Sequence, residues 1–184
     1  MLVCLFQGGI LKIGMDGWLE GVHRIASPNF DVRPAGVPVS LLVIHCISLP
    51  PGVFGSSDIL SLFTNTLDLS AHPFYEGLKD LKVSAHFLIR RVGEIIQIVS
   101  CNDRAWHAGQ SFWRGASGCN DFSIGIELEG TDESPFEESQ YVGLENLVRA
   151  IRAVYPIEEI VGHSDIAPGR KTDPGPFFDW HRIK

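Results

Sequence analysis

The stretch Leu41-Leu42-Val43-Ile44-His45 decides which class of fold this sequence can adopt. It is a continuous run of large, mostly branched apolar residues, and turn-forming residues end it at Ser48-Leu49-Pro50-Pro51-Gly52. A short apolar run that is closed in this way predicts a strand buried on both faces, as in the interior of a covered sheet. His45 therefore lies at the end of a buried strand.

Patterns on both sides of this run predict further strands and helices. Ser57 or Asp58 is placed to cap a short helix that ends near Asn65. The other predicted elements are a hairpin (86–91 and 94–99, around Val92-Gly93), a strand (121–129), a helix (138–154) and a short strand (160–163). A central, mostly β layer covered by helices follows from this mixture, and one domain is enough to contain it.

Composition limits the classes of partner. The chain has 184 residues, 45% of them hydrophobic and 20% charged, which excludes a disordered chain and predicts one globular domain. Asp and Glu number 22 against 15 Lys and Arg, so the basic face that nucleic-acid binding needs is not expected. No apolar run approaches the roughly 20 residues that cross a bilayer, so we expect no membrane partner.

The amino terminus and the cysteines indicate the compartment. The opening residues are apolar but carry no positively charged region and no small-residue cleavage site, so they match a signal peptide poorly. We interpret residues 1–14 as an extension and residues 15–184 as the catalytic domain; the alternative is a packed N-terminal strand. Cys4, Cys46, Cys101 and Cys119 could form two disulfides, but a secreted disulfide framework needs an export signal. We therefore expect four reduced thiols in a cytoplasmic protein.

Two histidines follow apolar strand runs at the places where loops begin. His45 ends the first run, His163 ends the last one, and Asp173 follows ten residues later in a Gly/Pro-rich loop. Two imidazoles and one carboxylate can hold one zinc ion per chain and leave its fourth position open. A satisfied structural histidine and a turn aspartate are the alternative, and His86 or His107 could replace one of the ligands.

The run Gly125-Ile126-Glu127-Leu128-Glu129-Gly130 places acidic residues in an apolar strand. In an extended chain Glu127 and Glu129 point to one face, and the apolar residues between them point to the other. Buried carboxylates are costly unless a nearby charge compensates them, and a metal could do so. Glu127 is the better functional candidate; a solvated edge strand is the alternative.

Five motifs together resemble a known family. They are Val43-Ile44-His45, Ser84-Ala85-His86-Phe87-Leu88-Ile89, Ala105-Trp106-His107-Ala108-Gly109, the run 120–130, and the run 162–175 with its Gly162-His163-Ser164-Asp165 start and Lys171-Thr172-Asp173 end. In order and spacing they are similar to the zinc-dependent N-acetylmuramoyl-L-alanine amidases, the family that includes phage T7-type lysozyme and the peptidoglycan recognition proteins. Within it, the resemblance is closest to the cytoplasmic enzymes of cell-wall recycling.

The resemblance implies a fold and a set of roles. The fold is a single α/β domain in which a central mixed β-sheet is flanked by α-helices. His45, His163 and Asp173 would be the zinc ligands, Glu127 the acid/base, and Lys171 the group that stabilises the tetrahedral intermediate. This assignment is chemically consistent, because zinc can lower the pKa of water to about 7.

Departures from the family affect the predicted substrate contacts. Cys46 replaces a usual Asn beside the first ligand, Lys82 a usual Arg, and Gly118 another usual Arg. Because Lys cannot reproduce a bidentate clamp on a carboxylate, peptide preference is open to change. We expect Cys46 and Lys82 to contact substrate, Arg114 to compensate for Gly118, and His107 to line the cleft.

The implied function is hydrolysis of the amide between (1,6-anhydro)-N-acetylmuramic acid and L-alanine of a small soluble muropeptide in cell-wall recycling. We expect a monomer. One alternative is a phage-type or exported lytic amidase that acts on intact wall. The other is a non-catalytic muropeptide-binding protein, although such relatives have typically lost a zinc ligand and this chain keeps all three candidates.

Overall fold

A computed structural model describes residues 11–183 of the chain. Its strands are β1 (His23–Arg24), β2 (Phe30–Val32), β3 (Leu41–Ile47), β4 (Phe87–Ile89), β5 (Ile95–Gln97), β6 (Asp103–Ala105), β7 (Phe112–Trp113), β8 (Ala116–Ser117), β9 (Ser123–Glu129) and β10 (Glu159–Gly162). Its α-helices are α1 (Asp58–Phe63), α2 (Glu138–Arg152) and α3 (His163–Ile166), and short 3-10 helices occupy Pro73–Leu78, Cys119–Asp121 and Trp180–Arg182.

The main sheet is mixed. Its strand order is β1-β5-β4-β9-β3-β10, and every neighbouring pair is parallel except the antiparallel pair of β4 and β5. That pair is the predicted hairpin around Val92-Gly93. Two small two-stranded sheets, β2 with β6 and β7 with β8, lie outside the main sheet. The predicted central mixed sheet is confirmed.

Helices cover both faces of this sheet. Leu144, Leu147 and Ile151 of α2 pack in one core cluster with Leu42 and Ile44 of β3. On the opposite face, α1 packs in a second cluster over β4 and β5, and α3 packs in a third cluster over β3 and β10. The alternation of side chains along each strand explains why successive residues of β3 belong to different clusters. The predicted flanking helices are confirmed.

The predicted elements agree with the structure to within two residues at each end, but the sequence does not predict the short strands β1, β2, β6, β7 and β8. A further difference lies at His163. The strand β10 ends at Gly162, and His163 is the first residue of α3 instead of the last residue of a strand. The Asp165 side chain accepts a hydrogen bond from the Gly162 backbone N–H at 2.7 Å. This bond turns the chain into a helix directly after the sheet edge.

The proposed extension, residues 1–14, falls mostly outside the described part of the chain, as does Cys4. Residue 11 is the first that the structure describes. The Leu11 side chain belongs to the main core cluster, and Ile13 forms an antiparallel bridge with Leu19. Packed structure therefore begins before the predicted boundary at residue 15.

Within residues 11–183, no helix combines the length and the apolar character that crossing a bilayer requires.

Candidate metal and active site

Parallel pairing of the central strands brings the predicted site residues to one edge of the sheet. His45 lies beside Glu127 in the register of β3 and β9, and Ile44 lies beside Gly162, the residue before His163. The carboxyl ends of adjacent parallel strands form the edge at which α/β sheets bind ligands. Asp173 is tied to this edge because its carbonyl accepts a hydrogen bond from the Ser164 N–H at 2.9 Å.

His45, His163 and Asp173 converge with their ligand atoms in contact. The Nδ1 atoms of the two histidines are 2.9 Å apart, and Asp173 Oδ2 lies 3.2 Å from His45 Nδ1 and 3.1 Å from His163 Nδ1. Both imidazoles are buried and the carboxylate is partly buried. Three potential ligands therefore form a compact triangle whose atoms could hold a metal ion.

The donor set fits a zinc ion. In a tetrahedral site with bonds of about 2.0–2.2 Å, neighbouring ligand atoms lie about 3.3–3.6 Å apart. The three separations here, 2.9 to 3.2 Å, are slightly shorter than that and close to it. Two neutral imidazole nitrogens and one carboxylate oxygen are ligands that zinc accepts, and one coordination position would remain open.

The electrostatics of the triangle favour a bound cation. Burial lowers the pKa of His45 to about 4, although the contact with the Asp173 carboxylate acts in the opposite direction. Burial alone would raise the pKa of Asp173, but its contacts with His163 and His45 outweigh this and hold the pKa well below its usual value. A neutral His45 and an ionised Asp173 are the protonation states that metal binding requires.

Glu127 shares the face of β9 that His45 occupies on β3. Its neighbours Ile126 and Leu128 point into the main core cluster on the other face, as the alternation predicted. The Glu127 side chain is buried, and its Oε2 atom has no hydrogen-bond partner among the described residues. Burial and the charge of Asp173 raise its pKa well above the usual value. An unpartnered buried carboxylate oxygen beside a candidate metal site is suited to accept a proton.

Lys171 is exposed and lies near enough to influence the site. Its positive charge lowers the pKa values of both Glu127 and His45, although burial is the larger effect on each. An ammonium group beside a site can stabilise negative charge on a bound substrate. The charge of Lys171 therefore acts on both His45 and Glu127.

The alternative of a solvated acidic edge strand is wrong. The strand β9 lies between β4 and β3, and all seven of its residues are buried. Glu129 pairs with Arg90 at 2.8 Å and accepts the Gly55 N–H at 2.7 Å. Glu129 is thus compensated by the protein itself, whereas Glu127 is not.

The other two buried histidines do not belong to the triangle. His86 Nδ1 accepts the Gly125 N–H at 3.0 Å, and its Nε2 lies 3.1 Å from the Asp103 carbonyl, so its contacts are structural. His107 is 8% exposed and its Nδ1 lies 2.9 Å from His45 Nε2. His107 was expected to line the cleft; instead it lies behind His45, because Gly125 leaves room for its ring.

The remaining predicted substrate residues lie in different surroundings. Cys46 is partly buried, and burial together with the charge of Glu127 raises the pKa of its thiol. Lys82 is exposed in the segment before β4. Arg114 is not brought to this site: its guanidinium pairs with Glu159 at 2.5 Å, at the start of β10, whereas His163 follows the end of that strand.

Sequence reasoning missed residues that support the site from behind. Arg170 donates hydrogen bonds to the carbonyls of Ala108 and Gln110, both at 2.7 Å. The Ala108 carbonyl also lies 3.2 Å from His163 Nε2, so Arg170 holds the group that orients this histidine. Ser123 and Gly125 contact or make room for His107. No local pattern marks these roles, because each depends on a distant strand or loop.

Comparisons with known proteins agree with the geometry. Residues 35–176 match the family described as N-acetylmuramoyl-L-alanine amidase. The 1,6-anhydro-N-acetylmuramyl-L-alanine amidase AmpD of Escherichia coli (strain K12) is 54% identical over 170 residues, which cover 91% of this chain and 93% of that protein.

Solved structures extend the likeness to three dimensions. The crystal structure of a selenomethionine AmpD derivative superposes with a TM-score of 0.89 at 54% identity, covering 91% of this chain and 95% of that one. The amidase AmiD from E. coli, in complex with the substrate anhydro-N-acetylmuramic acid-L-Ala-D-gamma-Glu-L-Lys, gives a TM-score of 0.56 at 33% identity, covering 95% of this chain and 64% of that one.

Proposed function

Because the chain belongs to the N-acetylmuramoyl-L-alanine amidase family, we propose that it is a zinc-dependent hydrolase of small muropeptides. The bond that it cleaves joins the lactyl carbonyl of 1,6-anhydro-N-acetylmuramic acid to the amine of L-alanine. The names of its AmpD relatives support the anhydro-sugar, and the AmiD complex supports an anhydromuropeptide as the kind of ligand that this fold accepts. The proposed role is cell-wall recycling in the cytoplasm.

One observation carries this proposal. The ligand atoms of His45, His163 and Asp173 form a triangle with sides of 2.9 to 3.2 Å, and the unpartnered Oε2 of Glu127 is buried on the same face of the sheet. A structural histidine cluster would not need a buried carboxylate without a partner, since such a group is costly. A hydrolytic site does need one, as the acceptor of a proton from water.

The residues divide the chemistry between them. His45, His163 and Asp173 would hold a zinc ion, which would supply Lewis-acid chemistry that makes water a better nucleophile near neutral pH. Glu127 accepts a proton from the attacking water while the water oxygen bonds to the lactyl carbonyl carbon. Glu127 then delivers that proton to the alanine nitrogen as the C–N bond breaks, which leaves a carboxylate on the sugar and a free amine on the peptide.

Lys171 stabilises the negative charge that develops on the carbonyl oxygen. Its ammonium group is exposed, and its charge acts on both Glu127 and His45, so it lies toward the open side of the site. Removing one such stabilising group commonly costs about 100- to 1000-fold in rate. Lys82 is the further cation that we propose to contact a substrate carboxylate; the pairing of Arg114 with Glu159 gives no support to Arg114 in that role.

Product analysis tests the proposed function. Purified protein is loaded with one equivalent of zinc and incubated separately with soluble 1,6-anhydro-N-acetylmuramoyl-tripeptide and with intact sacculi. Mass spectrometry should find free tripeptide and the anhydro-sugar acid from the soluble substrate, and much slower release from sacculi. Metal analysis of the same preparation should find about one zinc per chain.

Each outcome separates the alternatives. Faster release from sacculi would favour a lytic enzyme of the intact wall. Muropeptide binding without cleavage, in the presence of bound zinc, would favour a binding protein. Full turnover after exhaustive chelation would contradict the metal assignment.

A further inference from the structure

His107 connects the candidate ligand His45 to the backbone of the molecule. Its Nδ1 lies 2.9 Å from His45 Nε2, and its Nε2 lies 3.2 Å from Ser123 Oγ. Ser123 Oγ in turn lies 2.6 Å from the Cys119 carbonyl. All three side chains are buried, so water does not compete for these hydrogen bonds.

The Cys119 carbonyl, which is the last group in this series of hydrogen bonds, fixes the direction of every bond in the series. A carbonyl oxygen only accepts, so the Ser123 hydroxyl donates to Cys119 and must accept from His107. His107 therefore carries its proton on Nε2, and its Nδ1 accepts from His45 Nε2–H.

The bond to His107 also determines the state of Nδ1, the nitrogen on the opposite side of the His45 ring. With its proton on Nε2, His45 presents the Nδ1 lone pair to His163 and Asp173. His163 is also contacted from outside the triangle, because its Nε2 lies 3.2 Å from the Ala108 carbonyl and 3.4 Å from Arg170 Nη2. The His45 lone pair thus points into the triangle, and its direction is set by a partner outside it.

We propose that His107 is a positioning residue, which selects the metal-binding tautomer of His45 through the hydrogen-bonded chain from the Cys119 carbonyl. This proposal rests on the metal site of the proposed function. Groups that orient a metal-bound histidine in this way commonly contribute about 10- to 100-fold to metal affinity.

The surroundings hold His107 in place for this role. A Cβ atom at Gly125 would lie 2.5 Å from Nδ1 and 2.7 Å from Cδ2 of the ring, so only glycine leaves the necessary space on β9. The Asn120 side chain accepts the backbone N–H groups of His107 and Ala108 at 3.2 and 2.8 Å. The ring therefore cannot turn away from His45 without displacing a strand or this loop.

A pair of substitutions separates the hydrogen bond from packing. Both His107→Asn and His107→Leu remove the imidazole, but the Asn oxygen can take the place of Nδ1 as acceptor, whereas Leu offers none. Zinc dissociation constants are measured by competition with a chromophoric chelator. We expect His107→Leu to bind zinc about 10- to 100-fold more weakly than the wild type, and His107→Asn to recover most of that loss.

A control variant and the contrary results complete the test. Ile98→Ala opens space in the core cluster around α1, and it should lower the melting temperature while leaving zinc affinity unchanged. Equal affinities of the Leu and Asn variants would overturn the positioning role. A wild-type protein that binds no zinc would instead overturn the metal site itself, so the two failures are distinguishable.

The tautomers can also be measured without any substitution. In the zinc-loaded wild type, ¹⁵N spectra of the imidazoles should show a protonated Nε2 and an unprotonated Nδ1 for His107. A His107 ring with its proton on Nδ1, or with both nitrogens protonated at pH 7, would contradict the proposal even if His107→Leu does not fold.

Discussion

Glu127 is the residue on which the proposed chemistry depends most directly. Its side chain is buried beside His45, and burial with the charge of Asp173 raises its pKa well above the ordinary value. A raised pKa makes the carboxylate a stronger base toward a proton from water. Lys171 acts against this shift, so the two residues are electrostatically linked.

We expect Glu127→Gln to abolish most turnover and to leave the metal in place. The amide keeps the shape of the carboxyl group but cannot accept a proton, so kcat should fall by about 100- to 10,000-fold. Steady-state kinetics on the anhydromuropeptide and zinc analysis of the same sample provide the measurements. A variant that retains more than a tenth of wild-type kcat would exclude Glu127 as the acid/base.

Lys171→Ala should lower kcat with little effect on zinc content. Loss of one charge-stabilising group commonly costs about 100- to 1000-fold in rate. Lys79→Ala removes an equally exposed lysine from the end of the 3-10 helix Pro73–Leu78, and its kinetics should match those of the wild type. An unchanged kcat for Lys171→Ala would identify Lys171 as an ordinary surface lysine.

At the scale of elements, β9 is the strand that organises the site. It lies between β4 and β3, carries Glu127 beside His45, and offers Gly125 as the space for the His107 ring. Its buried residues alternate between the core under α2 and the site on the opposite face. The strand β9 therefore contributes both to the hydrophobic core and to the candidate active site.

Gly125→Ala tests how closely this strand and His107 are fitted. The added methyl group would overlap the His107 ring, and such overpacking typically costs about 1–3 kcal/mol of stability. We expect a lower free energy of unfolding in urea and weaker zinc binding. Gly77→Ala is the control, because a Cβ at Gly77 meets nothing within 4 Å. Equal effects of the two substitutions would show that the space beside Gly125 is adaptable.

His86, which joins the start of β4 to β9, should make the stability of the fold depend on pH. His86 accepts the Gly125 N–H on Nδ1, and burial with the charge of Arg33 lowers its pKa to about 3. Below about pH 6.5 the unfolded chain binds a proton at this residue that the folded chain does not, so lowering the pH destabilises the fold. The loss should reach about 1.4 kcal/mol per pH unit between pH 6.5 and 3.

Urea unfolding of the metal-free protein at a series of pH values measures this loss. His86→Asn keeps an acceptor for the Gly125 N–H but does not titrate, so its stability should fall less steeply with decreasing pH. Parallel curves for the variant and the wild type would assign the acid sensitivity to other groups.

At the scale of the whole molecule, the core and the candidate metal site are separable. The apolar clusters on the two faces of the sheet involve α1, α2 and α3, whereas the metal triangle lies at the carboxyl edge of β3 and β10. We therefore expect the metal-free protein to remain folded, and metal binding to add stability by mass action.

Calorimetry with and without zinc measures that addition. Free zinc at 100 times its dissociation constant should stabilise the wild type by about 2.7 kcal/mol and raise its melting temperature. Asp173→Ala removes one ligand and should show little of this increase. A similar increase in both proteins would place the bound zinc elsewhere on the molecule.

Local patterns were sufficient for the long central strands, the hairpin and the helices α1 and α2, but they did not predict the short strands β1, β2, β6, β7 and β8. The long strands, the hairpin and these two helices can each be predicted from residues that are close together in the sequence. The structure confirms the strand that contains His45, the hairpin around Val92-Gly93 and the helix that begins at Glu138. The alternation along β9 also placed Glu127 on the face opposite the α2 core. Order and spacing of the motifs, through their family resemblance, then indicated His45, His163 and Asp173 as a set.

Tertiary structure alone decided which residues support that set and which do not. The position of His107 behind His45, the capture of Arg114 by Glu159 and the bonds from Arg170 to the Ala108 loop all join segments that are distant in sequence. Hydrophobic periodicity is a property of neighbouring residues, so it records which face is buried. Hydrogen bonds across the fold depend on the register and packing of separate strands, and no local pattern carries that information.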